Sequence, residues 1–246
     1  MKKSTLVSLV VPAALVGAAC ASAPRPAPPP AVVRACPDEM ALVVYEHDRV
    51  CVDKYEGAVA GVRHSQSLDG KDLHALRATP ARGIKPQVNI SEIQAQAACA
   101  GSSKRLCTVA EWTAACRGPK HFAYPYGNDY ARDTCNEGRP SPVMQVMGPS
   151  WGRLDDPRLA EVDHTIEPGG AFPGCVTAAG IFDMHGNVHE WVSGSPREGD
   201  GRYGSFMGGF FADASLNGRG CSYQTVAHFK EYHDYSTGFR CCKDAH

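Results

Sequence analysis

The chain has 246 residues, of which 25 are Lys or Arg and 26 are Asp or Glu, and its formal net charge is −1. Because the two signs are evenly mixed, no basic stripe is available to neutralise a phosphate backbone, which argues against nucleic acid as a partner. Glycine (25) and proline (18) are abundant and long helical periodicity is scarce. This composition predicts a single loop-rich α+β domain with short elements.

The first 35 residues carry the features of an export signal. Two lysines precede an apolar run over residues 6–19 that is too short to span a bilayer, so residues 1–19 are predicted to be a secretory signal. Cleavage before Cys20 would give a lipoprotein anchored through that cysteine, although Gly17 stands where lipoprotein signals usually have a larger aliphatic residue. Cleavage after Ala23 is the alternative, and it would leave Pro24 first. Residues 20–35 form a proline-rich linker, so we expect an exported, membrane-anchored domain at residues 36–246.

Ten cysteines follow Cys20. An even number of cysteines in an exported chain predicts a disulfide framework, and the absence of Cys-x-x-Cys spacing argues against a structural zinc site. Two pairings follow from local reasoning: Cys36 with Cys51 across a short hairpin, and Cys135 with Cys175 around a long irregular segment.

Several short elements can be predicted in chain order. Residues 36–56 indicate two strands around a polar turn at residues 46–49. Two helices follow, and each begins with a capping box, formed by Ser91 with Gln94 and by Thr108 with Glu111. Residues 129–174 show no periodicity and are predicted to be a loop. A buried strand with a glycine kink is expected at residues 205–211, and a final strand at residues 238–242.

Residues 180–192 contain the most distinctive pattern in the chain. The carboxylates of Asp183 and Glu190 flank a turn at Gly186 and Asn187, and Trp191 follows. Such a turn points carbonyl oxygens inward, and two nearby carboxylates make it a candidate site for a hard cation such as calcium. The alternative is a well-capped turn over a core tryptophan, which composition alone favours.

Six runs in this order resemble the formylglycine-generating-enzyme, or sulfatase-modifying-factor, family. They are Val-Asp-Lys-Tyr-Glu at 52–56, Lys-Arg-Leu-Cys-Thr-Val-Ala-Glu-Trp at 104–112, Tyr-Pro-Tyr-Gly at 124–127, residues 180–192, Gly-Gly-Phe at 208–210 and Gly-Phe-Arg-Cys at 238–241. Each run alone is weakly specific, whereas six in order are highly specific. Because they cover essentially all of residues 36–246, the resemblance implies a C-type-lectin-like fold for the whole domain.

The resemblance also implies disulfides and calcium ligands. Two family disulfides match the pairs Cys99–Cys241 and Cys116–Cys221, which leaves Cys107 and Cys242 to pair alongside the first. A family calcium site matches the side chain of Asp183 and the carbonyl groups of Met184, Gly186 and Val188. A second family calcium site matches Asn136 and the carbonyl group of Glu137.

The family's oxidase centre is the feature that the sequence lacks. That activity converts a cysteine of an unfolded sulfatase to formylglycine, using oxygen and a copper ion held by two cysteine thiolates. Residues 210–220 of this chain contain no cysteine. Counted forward from the glycine pair, the two copper positions are Asp213 and Gly218; counted back from Cys221, they are Phe211 and Leu216. Copper and the known oxidase mechanism are therefore not expected.

Two functions remain open. The first, which we favour, is a monomeric module that binds a protein, peptide or glycan at the cell envelope, using the cleft around residues 210–217. The second is an enzyme: a formylglycine-generating oxidase with a different centre, or a non-haem iron oxygenase that uses Asp213, His228 and His233. The alternative for these two histidines is a place on the surface of a polar loop at residues 227–236. His189 stands where the family usually has tryptophan, and we expect it to face the same cleft or surface.

Overall fold

The computed structural model describes residues 36–149, 152–194 and 201–245. The predicted signal at residues 1–19, the predicted lipid-bearing Cys20 and the linker lie outside the described residues. Within the described part of the chain, no helix is both long enough and apolar enough to cross a membrane.

The first sheet joins the two ends of the domain. It contains β1 (Met40–Tyr45), β2 (Asp48–Asp53), β3 (Arg105–Leu106) and β8 (Cys241–Asp244), in the order β1-β2-β8-β3 with antiparallel neighbours. β1 and β2 form the predicted hairpin, and its two-residue turn places Glu46 at a φ of 49°. Val43, Val50 and Val52 are buried in the core that this sheet covers, which explains the apolar alternation in the sequence.

Two helices begin where the capping boxes predict them. α1 (Glu92–Gly101) starts after Ser91, and α2 (Val109–Arg117) starts after Thr108; in both cases the two reciprocal capping hydrogen bonds are present. Both helices are short, so their stability comes mainly from packing rather than propensity. Trp112 on α2 is fully buried, as predicted.

The second sheet carries the strands that frame the candidate site. It contains β4 (His189–Val192), β5 (Ser205–Met207), β6 (Gln224–Thr225) and β7 (Thr237–Phe239), in the order β6-β5-β4-β7, with β4 and β7 parallel. The strand predicted at residues 205–211 ends at Met207, because Gly208 and Gly209 adopt φ values of 87° and 73° and turn the chain. The predicted final strand is likewise divided into β7 and β8, with Arg240 between them.

The irregular segment at residues 129–174 contains two elements that its sequence did not reveal. These are α3 (Val143–Met147) and a 3₁₀ turn at Pro157–Glu161. Apolar side chains of the segment, Val143, Leu159 and Ile166, pack with Phe211 and Tyr235 in a shared core cluster. The segment is therefore fixed by packing as well as by a disulfide.

Five disulfides hold the domain together, and they are the five pairs expected from the sequence. They are Cys36–Cys51, Cys99–Cys241, Cys107–Cys242, Cys116–Cys221 and Cys135–Cys175. The neighbours Cys241 and Cys242 tie β8 on one side to α1 and on the other to the segment just before α2. Because successive side chains of a strand point to opposite faces, β8 is fixed from both faces.

Candidate functional site

The turn at residues 183–190 is organised by one distant carboxylate. The Asn187 side chain, with its backbone at a φ of 57°, donates to Glu56 over 2.5 Å and accepts from the Asn136 amide over 2.8 Å. The Val188 N–H donates to the other oxygen of Glu56 over 3.2 Å. Gly186 packs directly on the Asn136 carbonyl, so a Cβ there would collide with backbone. The turn is therefore a buried polar cluster rather than a surface loop.

Glu190 is committed to partners inside the core. Its carboxylate accepts two hydrogen bonds from the fully buried Arg240, at 2.6 and 2.8 Å, and one from Trp112 Nε1 at 2.6 Å. The remaining Arg240 donors go to the carbonyl groups of Asp53 and Phe182. The expectation that Glu190 helps to form a cation site is therefore wrong, because arginine already compensates its charge.

The turn nevertheless holds an excess of buried negative charge. Burial raises the pKa of Asp183 to about 6, and burial together with the charges of Asp183 and Glu190 raises the pKa of Glu56 well above its ordinary value. Arg240 opposes both shifts but is a single cation beside three carboxylates. Such a cluster must take up either a proton or a cation.

The residues matched to the first calcium site fit a hard cation. One oxygen of the buried Asp183 carboxylate accepts from the Gly170 N–H over 2.7 Å. The carbonyl oxygens of Met184, Gly186 and Val188 accept no hydrogen bond from a backbone N–H within the described residues. A carboxylate and three free carbonyls are oxygen donors of the kind that calcium prefers. Side-chain ligands alone would not suffice, since no group of three or more His, Cys, Asp or Glu in the described chain could hold a metal.

The residues matched to the second calcium site do not fit. The Asn136 side-chain oxygen accepts from Arg139 Nε over 3.1 Å, so a fixed cation already stands beside it. The Asn136 amide nitrogen donates to the Thr165 carbonyl and to Asn187. This expectation from the resemblance is not supported by the donor set, because calcium would face the guanidinium group.

A cleft of about 250 Å³ lies between the second sheet and the loop at residues 210–217. Its walls are largely aromatic, and the ring of His189 occupies their centre, 4.4 Å from Phe206, 4.8 Å from Phe210 and 5.6 Å from Tyr223. His189 therefore faces the cleft, as expected. The other lining residues are Ser141, Val143, Leu154, Asp213, Asn217, Thr225, His228, Asp234, Tyr235 and Ser236.

A row of polar groups crosses the floor of the cleft. Asp234 accepts from the Ser236 hydroxyl (2.8 Å), which lies 3.2 Å from His189 Nδ1. His189 Nε2 lies 3.3 Å from the Tyr223 hydroxyl, which donates to Asp213 over 3.0 Å. Burial lowers the pKa of His189 to about 3 and raises that of Tyr223 to about 12, so both rings are neutral near pH 7. Because a neutral imidazole carries a single N–H and both hydroxyls donate to aspartates, His189 donates to only one of the two hydroxyls, and the row is interrupted at its other nitrogen.

Asp213, a candidate copper position, serves as the cap of its own loop. Its carboxylate accepts from the N–H groups of Ser215 and Leu216, both at 2.9 Å, in addition to Tyr223. At Gly218, φ is 118° and a Cβ would lie 2.6 Å from the Ser222 carbonyl oxygen. Two ligands at positions 213 and 218 would therefore need a rebuilt loop.

The copper positions counted back from Cys221, Phe211 and Leu216, are also unsuitable. The domain, moreover, contains no free thiol. Phe211 is fully buried whereas Leu216 is 81% exposed, so side chains at these two positions cannot converge on one ion. All ten cysteines of residues 36–246 are joined in disulfides. The donor set does not fit a copper ion held by two thiolates.

The three residues of the alternative iron site are not brought together. Asp213 and His228 line the same cleft, but His233 does not; its Nε2 lies 3.2 Å from an Asp69 oxygen. The His228 ring is half-buried and stacks on Tyr232 with centroids 3.9 Å apart. The proposed trio is therefore wrong, and His228 is a wall of the cleft rather than a surface residue.

A second cavity of about 360 Å³, here called the neighbouring cavity, lies on the other side of the loop at residues 210–217. It is lined by Tyr124, Glu137, His185 and Arg219, among others, and shares Asp213 with the cleft. Glu137 and His185 are paired at 2.9 Å beneath it. Unlike the cleft, this cavity carries its own cation, Arg219.

Four residues that shape these sites were not predicted from the sequence to do so: Glu56, Arg240, Tyr223 and Asp234. Glu56 and Arg240 do fall within the runs that resemble the family, which was the one available signal. Their partners lie 131 and 50 positions away, at Asn187 and Glu190, and nothing local indicates such pairings.

Comparison with known proteins identifies a matching domain family and several curated relatives. A sulfatase-modifying factor enzyme 1-like domain matches residues 43–245. An inactive C-alpha-formylglycine-generating enzyme 2 of Bos taurus is 30% identical over 177 residues, which are 68% of this chain and 55% of that protein. A formylglycine-generating enzyme of Mus musculus is 29% identical over 142 residues, which are 54% of this chain and 32% of that protein. The chain thus spans about half the length, or less, of these curated relatives.

Solved structures share the architecture at low sequence identity. PvdO from Pseudomonas aeruginosa superposes with a TM-score of 0.54 at 16% identity, covering 80% of each chain. Treponema denticola variable protein 1 gives a TM-score of 0.52 at 15% identity, covering 83% of this chain and 91% of that one. The expected α+β, C-type-lectin-like fold is confirmed. The chain belongs to the sulfatase-modifying factor enzyme 1-like family, which includes the formylglycine-generating enzymes.

Proposed function

We propose that this protein is a catalytically altered member of the family that binds a peptide, protein or glycan in the cleft. The observation that carries the proposal is that the domain has no free thiol, because every cysteine of residues 36–246 is in a disulfide. In addition, Asp213, at one of the candidate copper positions, caps its own loop. The cleft has aromatic walls and hydrogen-bonding groups on its floor. These are features of a site that recognises a ligand.

The proposal includes a place for the protein and a structural ion. The apolar run and Cys20 in the first 35 residues favour an exported lipoprotein whose proline-rich linker holds the domain off the membrane. The buried charge of the turn at residues 183–190, with its free carbonyls, favours calcium held by Asp183, Met184, Gly186 and Val188. That ion would neutralise the turn and take no part in ligand recognition.

The loss of the oxidase can be tested on the full chain. Thiol titration of the denatured, unreduced protein should find at most one thiol, that of Cys20. After incubation with Cu(I) and dialysis, the protein should retain no stoichiometric copper, and it should form no aldehyde on a cysteine-containing sulfatase peptide. Stoichiometric copper together with aldehyde formation would overturn the proposal.

Binding in the cleft can be tested with arrays of peptides and glycans. A Ser141→Trp variant places a bulky ring in the cleft lining, whereas Gln145→Trp places the same ring on the exposed side of α3, outside the lining. We expect array ligands whose signal is lost in Ser141→Trp and kept in Gln145→Trp. Ligands that bind both variants equally, or an array with no ligand at all, would contradict binding in the cleft.

A further inference from the structure

We infer that the cleft takes an alkylammonium group, such as the side chain of a lysine in a peptide partner. The inference rests on the proposed function and names the chemistry of its ligand. It is carried by the lining of the cleft, which combines two carboxylates, Asp213 and Asp234, with aromatic rings and, among the described residues, includes no lysine or arginine.

The charge of the cleft is negative and has no internal counterion. Asp213 and Asp234 both line it, and no lysine or arginine does so among the described residues. Asp234 accepts only from neutral groups: the Ser236 N–H and hydroxyl, both at 2.8 Å, and the Tyr232 hydroxyl at 2.6 Å. Asp213 likewise accepts only from backbone N–H groups and the Tyr223 hydroxyl. Neither aspartate has an ion-pair partner in the described chain, so a positive ligand would supply one.

The histidines of the cleft do not supply the missing charge. Burial lowers the pKa of His189 to about 3 and also lowers the pKa of His228. Both rings are therefore uncharged near neutral pH and act as aromatic surfaces. A cation entering the cleft would meet no repulsion from them.

The walls suit the carbon chain and the head of such a ligand. Phe206, Phe210 and Tyr223 surround the His189 ring, and Tyr235 meets Phe210 edge-on at 6.0 Å. Faces of aromatic rings attract ammonium groups, and they also pack well against methylene groups. The volume of about 250 Å³ lies below the range of about 300–1,000 Å³ usual for drug-sized ligands, so it suits one side chain.

The surroundings favour a peptide as the carrier of this group. Leu216, 81% exposed, stands on the loop that separates the cleft from the neighbouring cavity. Met144, on α3 next to the lining residue Val143, is 59% exposed. These two side chains give a polypeptide carrier exposed apolar surface to cover beside the cleft.

The test uses small probes and the full chain labelled at histidine for NMR, with the His189 ring signals reporting occupancy of the cleft. The probes are N-α-acetyl-lysine methylamide, its arginine counterpart, and two neutral analogues that carry norleucine or N-ε-acetyl-lysine. We expect the lysine probe to bind at least about ten-fold more tightly than either neutral analogue. The arginine probe distinguishes a guanidinium from an ammonium ligand, and tighter binding of arginine would overturn the choice of ammonium.

Two variants make the test specific. Asp213→Asn keeps an acceptor for the loop but removes the charge, and it should weaken the lysine probe about ten-fold. Arg219→Gln changes a charge in the neighbouring cavity and should leave the affinity unchanged. An unliganded spectrum of Asp213→Asn close to that of the wild type would show that the loop is intact; if it is not, Asp234→Asn provides the second measurement.

The outcomes separate this inference from the proposed function. If neutral probes or array ligands move the His189 signals as strongly as lysine does, the ammonium inference is wrong while binding in the cleft stands. If the array ligands leave the His189 signals unmoved and resist Ser141→Trp, the proposed function fails, and this inference fails with it.

Discussion

The turn at residues 183–190 and the cleft loop at residues 210–217 differ in how their charges are compensated. In the turn, Glu190 is bound by Arg240 and Trp112 deep in the core. In the loop, Asp213 accepts hydrogen bonds only from neutral groups, two of which belong to the same loop. The carboxylate of Glu190 is therefore tied to the core, whereas the carboxylate of Asp213 is held by its own loop and by Tyr223.

This difference indicates that substitutions in the two regions have unequal consequences for the fold. Partners in the turn come from separate parts of the chain, including Glu56 after β2 and Arg240 between β7 and β8, so one substitution disturbs several elements at once. The cleft loop makes most of its polar contacts within itself and with Tyr223. The Asp213 side chain can therefore be replaced with less disturbance of the core than Glu56 or Arg240.

The largest expected effect is at Arg240. An Arg240→Met variant would leave Glu190, Asp183 and Glu56 without their shared cation, and we expect a loss of about 3–5 kcal/mol in the free energy of unfolding. Urea denaturation with disulfides intact measures this loss. As a control, Arg63→Met removes an exposed ion pair with Glu161 and should cost about 1 kcal/mol or less. Equal costs for the two variants would contradict a framework role for the turn.

Calcium should produce the next largest effect, and only through the turn. A calcium concentration about 100-fold above the dissociation constant would stabilise the protein by about 2.7 kcal/mol, with a corresponding rise in Tm. Asp183→Asn should abolish the rise, whereas Asp213→Asn, in the cleft, should keep it. Thermal unfolding with calcium, magnesium or a chelator provides the measurement. A calcium response that survives in Asp183→Asn would show that the ion binds elsewhere.

Asp213 and Asn187 have side chains of similar size, but replacing each by alanine should lower the free energy of unfolding by different amounts. Asp213→Ala removes an acceptor from Ser215, Leu216 and Tyr223 near the surface, and we expect a cost of about 1–2 kcal/mol. Asn187→Ala removes buried hydrogen bonds and a residue suited to positive φ, so its cost should be larger. Urea denaturation of both variants compares them, and a costlier Asp213→Ala would reverse the comparison.

The smallest expected effect is a dependence of the free energy of unfolding on pH in calcium-free solution. The pKa of Asp183 rises from an ordinary 3.8 to about 6 on folding because of burial, so the folded state binds the proton more tightly than the unfolded state. Its contribution to stability is therefore complete below about pH 4 and is lost as the pH rises through 6. The difference between wild type and Asp183→Asn in urea denaturation from pH 4 to 7 isolates this contribution. Relative to Asp183→Asn, the wild type should lose stability between pH 4 and 7, and a wild type that gains stability relative to the variant over this range would contradict the buried, raised carboxyl group.

Local signals predicted much of the fold. The capping boxes at Ser91 and Thr108 placed the starts of α1 and α2, because the bonds that they form lie within one helical turn. The hairpin of β1 and β2 was predictable for the same reason. In contrast, α3 has no side-chain cap, and it exists because Val143 packs on distant residues. No local pattern indicates such an element.

The candidate site was predictable only in part. The missing cysteines and the position of His189 could be read from the resemblance, since they depend on alignment alone. The capping role of Asp213 and the displacement of His233 towards Asp69 depend on loop geometry. The compensation of Glu190 by Arg240 joins residues 50 positions apart, and sequence spacing gives no information about it.

The place of β8 in the first sheet has a consequence for the order of biosynthesis. This strand lies between β2 and β3, yet it comes from the last residues of the described chain. Until residues 241–244 have been synthesised, β2 and β3 lack their shared neighbour β8, and Cys99 and Cys107 lack their native disulfide partners. The pairing of β2 and β3 with β8, and the native disulfides of Cys99 and Cys107, must therefore wait until residues 241–244 have been synthesised. A chain interrupted before Cys241 would expose open strand edges and two free thiols, which are the features that quality-control systems recognise in unfinished proteins.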